Sequence, residues 1–149
     1  MNLFIKLLAT WGGSGYSPVA SGTAGTLAAI PFYICLAGLP LPLYLLTMAA
    51  FFFLACWVSG KAETIFQEKD SGKIVIDEVV GYLVTMTALP LDWRYIVAGF
   101  FLFRFFDIVK PPPAGWFDRK LKNGYGVVLD DVAAGVYAWL CLLALARFL

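Results

Sequence analysis

Five apolar stretches, bounded by proline or by charge, constrain this chain more than any other feature. They run from about Thr23 to Leu39, Leu43 to Ser59, Ile74 to Leu89, Tyr95 to Val109 and Val132 to Phe148. As helices rising about 1.5 Å per residue, each reaches roughly 22–27 Å, a little short of a ~30 Å hydrocarbon core. Snorkelling side chains, local thinning or burial inside a bundle absorb that shortfall, and the third stretch is the weakest candidate to span. Hydrophobic residues make up 61% of the chain and charged residues 14%, against about half and about a quarter in soluble domains. A small domain buries only part of its surface, so lipid is the simplest sink for the excess. The expectation is an all-α membrane bundle of about five main helices, in a single domain over residues 1–149.

Two connections, Leu39-Pro40-Leu41-Pro42 and Leu89-Pro90-Leu91-Asp92, are short and carry proline. Proline lacks a donor and clashes with the preceding turn, so each reads as the tip of a helical hairpin. The other two connections are longer and polar. Lys61–Lys73 and Lys110–Gly126 together carry seven Lys or Arg residues. By the positive-inside rule both polar connections face the cytoplasm, as does the N-terminus with Lys6. The segment Met1–Trp11 reads as a short interfacial helix, with no signal-peptide cleavage pattern.

Placed on that topology, the acids gather. Asp77 and Glu78 open the third stretch, Asp107 closes the fourth, and Asp130 and Asp131 open the fifth, all toward the same side. A carboxylate near hydrocarbon is costly unless paired, hydrogen-bonded or bound to a metal. Five together repel one another, and a divalent cation relieves that repulsion. All-oxygen ligands suit Mg2+, which keeps water and bridges to phosphate oxygens. A plainer account places acids at helix N-termini, where the dipole favours them. It covers Asp77 and Asp130 but not Asp107, at an unfavourable C-terminal end, where Arg104 and Lys110 lie three residues to either side. Glycines Gly81 and Gly135 follow the two acid pairs, at positions where helices can approach closely.

The run Gly12–Thr26 is rich in glycine and opens a helix. It serves equally as a phosphate cradle of backbone amides or as a flexible entry into tight helix packing. No Lys-Ser/Thr follows the glycines, so it is not a Walker A loop. The chain has no histidine, which excludes His-dependent phosphatases, Ser-His hydrolases and His-ligated zinc. Cys35, Cys56 and Cys141 fit neither a zinc site nor a disulfide framework. The Cys141…Arg147 spacing of thiol phosphatases is coincidental here, because the residues between are apolar helix formers. A net charge of +1 gives no electrostatic case for nucleic acid.

Taken in order along nearly the whole chain, several motifs resemble the phosphatidylglycerophosphatase A family. They are Gly13-Ser14-Gly15 with Ser17-Pro18, Gly22-Thr23-Ala24-Gly25-Thr26-Leu27, and Ile74-Val75-Ile76-Asp77-Glu78 with Gly81. Further on come Phe103-Arg104-Phe105-Phe106-Asp107-Ile108-Val109-Lys110-Pro111, Trp116-Phe117-Asp118-Arg119 and Gly124-Tyr125-Gly126-Val127-Val128-Leu129-Asp130-Asp131-Val132-Ala133-Ala134-Gly135. The resemblance implies a Mg2+-dependent phosphatase of the bacterial inner membrane, with a central helix surrounded by others. Its lipid substrate would be phosphatidylglycerophosphate, hydrolysed to phosphatidylglycerol and phosphate at the cytoplasmic face.

Combined with the residues, this gives a specific expectation. Asp77, Glu78, Asp130 and Asp131 hold Mg2+, with Asp107 as a fifth catalytic acid. Ser17, Gly22, Thr23, Gly25, Thr26, Arg104 and Lys110 contact the phosphate. The nucleophile stays open between water and an aspartate, although the Asp-x-Asp signature that usually accompanies an aspartyl-phosphate is missing. Two rival functions are weighed. A cation- or proton-coupled transporter would place its acids near the midplane rather than at one edge. A CDP-alcohol phosphotransferase would need an Asp-Gly…Ala-Arg pattern that is not present.

Overall fold

The computed structural model describes residues 2–16, 21–67, 74–109 and 124–148. Its regular structure among these is entirely helical: α1 (Asn2–Ala9), a 3-10 turn (Ser14–Tyr16), α2 (Ser21–Ala37), α3 (Leu41–Phe66), α4 (Ile76–Thr85), α5 (Trp93–Val109) and α6 (Gly124–Leu145). Both proline-marked hairpin tips are present. Pro40 caps α3 and Pro42 lies in its first turn, where a missing amide costs nothing. At the second tip an exposed ion pair joins Arg94 to Asp92 at 2.9 Å, and hydrogen bonding from the Arg94 side chain holds the Asp92 carboxyl below its ordinary range.

The sequence reading misplaced three boundaries. The third helix continues through Lys61 and Glu63 to Phe66, ending where Gln67 turns left-handed at φ 55°. Lys, Ala and Glu are good helix formers, so polarity there marks the helix leaving its apolar surroundings rather than its end. The last helix begins at Gly124, well before Val132. Its glycines suggested a loop, but Val128 is fully buried, and packing outweighs their poor propensity. The third stretch yields only the ten residues of α4, about 15 Å of helix and too short to span.

Two helices, Leu41–Phe66 and Val128–Leu145, are long and apolar enough to cross a membrane. In α3 only 22% of the most apolar stretch is buried. Leu45, Leu46, Phe53 and Trp57 all face outward, an arrangement that suits lipid and not the core helix of a soluble domain.

The short α4 is the centre. Eight of its ten residues are buried, and it packs against α2, α3, α5 and α6. Two carbonyls at its C-terminal end are satisfied by side chains: the Tyr44 hydroxyl donates to the Leu83 carbonyl at 2.6 Å, and the Trp139 indole N–H donates to the Thr87 carbonyl at 2.8 Å. In the other direction, the Thr85 hydroxyl of α4 donates to the Gly135 carbonyl of α6 at 3.3 Å. Its N-terminal approach is held by α1, through a bond from the Val75 amide to the Ala9 carbonyl at 2.7 Å. Helix α1 buries Ile5 and Ala9 and leaves Leu3, Phe4 and Leu7 exposed.

Helices α4 and α6 cross at backbone contact. A methyl added at Gly135 would lie 2.5 Å from the Gly81 carbonyl oxygen, and one added at Gly81 would lie 2.8 Å from the Asp131 carbonyl oxygen and against the Phe103 ring. Neither backbone can yield locally. At Gly99 the obstacle is the Met86 sulfur at 2.5 Å, the movable end of a flexible side chain. Gly135→Ala is therefore expected to cost about 1–3 kcal/mol through overpacking, and Gly99→Ala clearly less. Denaturant unfolding in detergent micelles measures both. Equal midpoints for Gly135→Ala and the unaltered chain would show that the crossing is looser than described.

Candidate active site at the polar end of the bundle

The glycine crossing fixes what lies one turn away. On α4, Asp77 precedes Gly81 by four residues, and on α6, Asp131 precedes Gly135 by four. On the oppositely directed α5, Asp107 follows Phe103 by four. Positions four apart share a helix face, so two backbones in contact and the Phe103 ring packed on them bring three carboxylates together. Adjacent residues add Glu78 and Asp130.

The result is two overlapping triads. Asp77, Glu78 and Asp131 form one, and Asp107, Asp130 and Asp131 the other. In each, one oxygen per residue lies within 4.8 Å of the others. Asp77 and Asp107 are each 7% exposed, Asp130 4% and Asp131 2%. Asp77 also accepts the Glu78 amide at 3.0 Å. Burial first, and the Glu78 carboxylate second, raise the Asp77 carboxyl well above its ordinary range. Burial first, and the Asp131 carboxylate second, do the same for Glu78.

Placement within the helices decides against capping as the whole account of these acids. Asp77 and Glu78 do lie in the first turn of α4. Asp130 and Asp131 lie deeper in α6, whose first turn holds no acid, so its dipole does not explain them.

Among the described residues, one cation balances part of this charge. Arg104 on α5 is ion-paired with Asp107, one turn away, and lies 3.9 Å from Glu78. Its guanidinium rests on the first turn of α2. A methyl at Gly22 would sit 2.9 and 3.0 Å from its terminal nitrogens and 3.0 Å from a Glu78 oxygen. Glycine is what lets this helix N-terminus and the guanidinium meet. Two positive features thus converge beside the carboxylates, as binding of an anion requires.

The other expected phosphate contacts divide. Thr23 is half-buried in the same first turn as Gly22. Gly25 faces inward, where a methyl would lie 2.6 Å from Val75 Cβ, and the fully buried Thr26 donates its hydroxyl to the Gly22 carbonyl at 2.8 Å. These two shape the entry of α2 and hold it against the start of α4. Ser17 and Lys110 lie outside the described residues. Phe103, fully buried against Gly81, and Thr85 support the site without having been singled out for it. The only signal for Thr85 was a lone hydroxyl one turn past a glycine in an apolar helix.

Whether the donor set suits a metal is decided by its chemistry and its unmet bonds. Every donor is a carboxylate oxygen, the ligand of hard cations. Glu78 Oε2 and Asp131 Oδ2 are buried without a hydrogen-bond partner, a costly state for a carboxylate unless something positive engages it. The set can hold a metal ion.

Comparison with known proteins places the chain in a family. The profile of the phosphatidylglycerophosphatase A family matches residues 7–146. Phosphatidylglycerophosphatase A of Escherichia coli K12 is 42% identical over 131 residues, covering 87% of this chain and 76% of that protein. The Haemophilus influenzae protein of the same name is 43% identical over 143 residues, covering 95% and 88%. A Bacteroides thetaiotaomicron protein provisionally described as a phosphatidylinositol-3-phosphatase is 43% identical, covering 95% and 92%. No solved structure matches the chain. With the family profile spanning all three helices that carry the carboxylates, and with relatives this similar over most of their length, the chain belongs to the phosphatidylglycerophosphatase A family.

Proposed function

We propose that this chain is a Mg2+-dependent phosphatidylglycerophosphatase of the bacterial inner membrane. It hydrolyses the terminal phosphate monoester of phosphatidylglycerophosphate, giving phosphatidylglycerol and inorganic phosphate, with its acidic end toward the cytoplasm. The observation that carries this reading is the convergence of four buried carboxylates and the half-buried Glu78 with Arg104 and the N-terminus of α2. Family membership supplies the substrate.

Asp77, Glu78, Asp130 and Asp131 hold the cation, which when bound supplies Lewis-acid polarisation of the phosphate. Arg104 and the first-turn amides of α2 around Gly22 and Thr23 bind phosphate oxygens and stabilise charge as it builds there. One carboxylate of the cluster takes the proton of the attacking water as it adds to phosphorus. The P–O bond to the glycerol breaks, and that oxygen leaves as the alcohol after protonation. Ser17 and Lys110 complete the phosphate contacts in this scheme. Transport is not favoured, because the acids occupy one end of the bundle rather than its middle.

Phosphate release from phosphatidylglycerophosphate by the detergent-solubilised chain, with Mg2+ or with EDTA, tests the reaction. Turnover should need Mg2+ and should exceed that on phosphatidic acid and phosphatidylinositol 3-phosphate. The Bacteroides relative makes the last comparison necessary. Release that is indifferent to EDTA would remove the metal from the scheme. A preference for the inositol lipid would move the chain to another substrate.

Asp77→Asn and Asp131→Asn should each lower turnover by at least about 100-fold, the scale of losing one preorganised charge contact. Asp92→Asn, at the opposite end, should be nearly silent. Near-normal turnover in both cluster variants would sink the site assignment.

The same charges predict a stability effect of opposite sense. With EDTA present, Asp131→Asn removes one of several mutually repelling buried charges, so its unfolding midpoint should rise above that of the unaltered chain. A fall would mean that Asp131 is held chiefly by bonds an amide cannot make.

A further inference from the structure

The two triads share one member. Asp131 belongs with Asp77 and Glu78 on one side and with Asp107 and Asp130 on the other. Resting on the metal-dependent reading above, we propose that this end of the bundle holds two divalent cations, bridged by the Asp131 carboxylate. The first is held by Asp77, Glu78 and Asp131, the second by Asp107, Asp130 and Asp131.

The chemistry of Asp131 supports bridging. It is 2% exposed, and its Oδ2 is buried with no hydrogen-bond partner. A carboxylate has two oxygens and about four lone-pair directions, enough to serve an ion on each side. Glu78 Oε2, in the first triad, is likewise buried without a partner. Arg104 touches one acid of each triad, Glu78 and Asp107, so a single guanidinium cannot satisfy the oxygens that point elsewhere.

Charge supports the same count. Among the described residues, five ionised carboxylates and one guanidinium sum to −4, and Lys110, placed at the phosphate in the scheme above, makes −3. One divalent cation leaves −1, and a phosphate monoester dianion would then approach a site of its own sign. Two divalent cations bring the cluster to +1 before substrate arrives. In two-metal phosphate sites the ions clamp the attacking and leaving oxygens from both sides, and a pair of triads joined at one residue is the protein geometry that chemistry needs.

Mn2+ is the probe, because free Mn2+ gives a six-line EPR spectrum that is lost on binding, and ions about 3.5–4 Å apart couple magnetically. The full chain in detergent or nanodiscs should bind two Mn2+ and show a spin-coupled spectrum. Glu78→Gln and Asp130→Asn should each retain one uncoupled Mn2+. Asp131→Asn should lose the coupling and weaken both ions by at least tenfold.

Each alternative result has a definite meaning. One Mn2+ per unaltered chain overturns the second site and leaves a single-cation phosphatase. No Mn2+ bound by folded protein removes the cation from both proposals, while Mg2+-dependent phosphate release is judged separately. Two Mn2+ retained in Asp130→Asn overturns the ligand division. These substitutions preserve shape and remove charge, so folding should survive. Should a variant fail to fold, the stoichiometry and coupling of the unaltered chain decide alone.

Discussion

The backbone contact between α4 and α6 governs this structure. The two helices touch with no side chain between them at Gly81 and Gly135, and the Phe103 ring of α5 closes the third side. Helix pairs with ordinary side chains at the contact stand about 8–10 Å apart. At that separation carboxylates one turn away on α4 and α6 would diverge. Held at backbone contact, they share ligand distance instead. The Thr85 hydroxyl, bonded to the Gly135 carbonyl on the far side of the crossing, fastens the pair one turn beyond the glycines, as the carboxylates occupy the turn before them.

That closeness has an electrostatic cost which explains the surroundings. Carboxylates removed from water lose hydration, and neighbours of the same sign add repulsion. The chain supplies Arg104 and one helix N-terminus in return, and both are placed where they touch the acids without covering them. Gly22 matters for this reason, since any side chain there would compete with the guanidinium for space beside Glu78. A metal-binding reading thus asks for nothing beyond what burial has already made unfavourable to leave alone.

Much of the site was legible because charge in apolar sequence is costly wherever it occurs. Asp77, Glu78, Asp107, Asp130 and Asp131 stood out for that reason, and hairpin tips at Pro40 and Pro90 put them at one end. Helix lengths were less legible. Lys61 and Glu63 read as loop because polarity was taken as a boundary, although a helix continues readily into water. Gly124 and Gly126 read as loop because glycine's weak propensity was weighed without the packing around Val128. The two meanings of a glycine-rich helix entry were also inseparable in sequence. In the structure two glycines of one turn meet different neighbours: Gly22 opens toward Arg104, while Gly25 admits Val75.

Helix α5 shows how a buried carboxylate and an apolar exterior coexist within one helix. Phe101, Phe105 and Ile108 point outward, between 57% and 69% exposed, while Phe103 and Asp107 point inward at 0% and 7%. The outward row follows steps of four and three residues and the inward row a step of four, so both are straight stripes on opposite faces. An α-helix with its side chains is about 10–12 Å across. On the proposed reading, that is the lateral distance a lipid's phosphate has to travel from the acyl-chain environment to Asp107. A glycerol-linked headgroup spans such a distance while its acyl chains remain outside. A bundle that kept its acids at mid-depth would require the charged phosphate to enter hydrocarbon, whereas acids at the helix ends let the phosphate stay at the polar boundary and the chains stay in the apolar one.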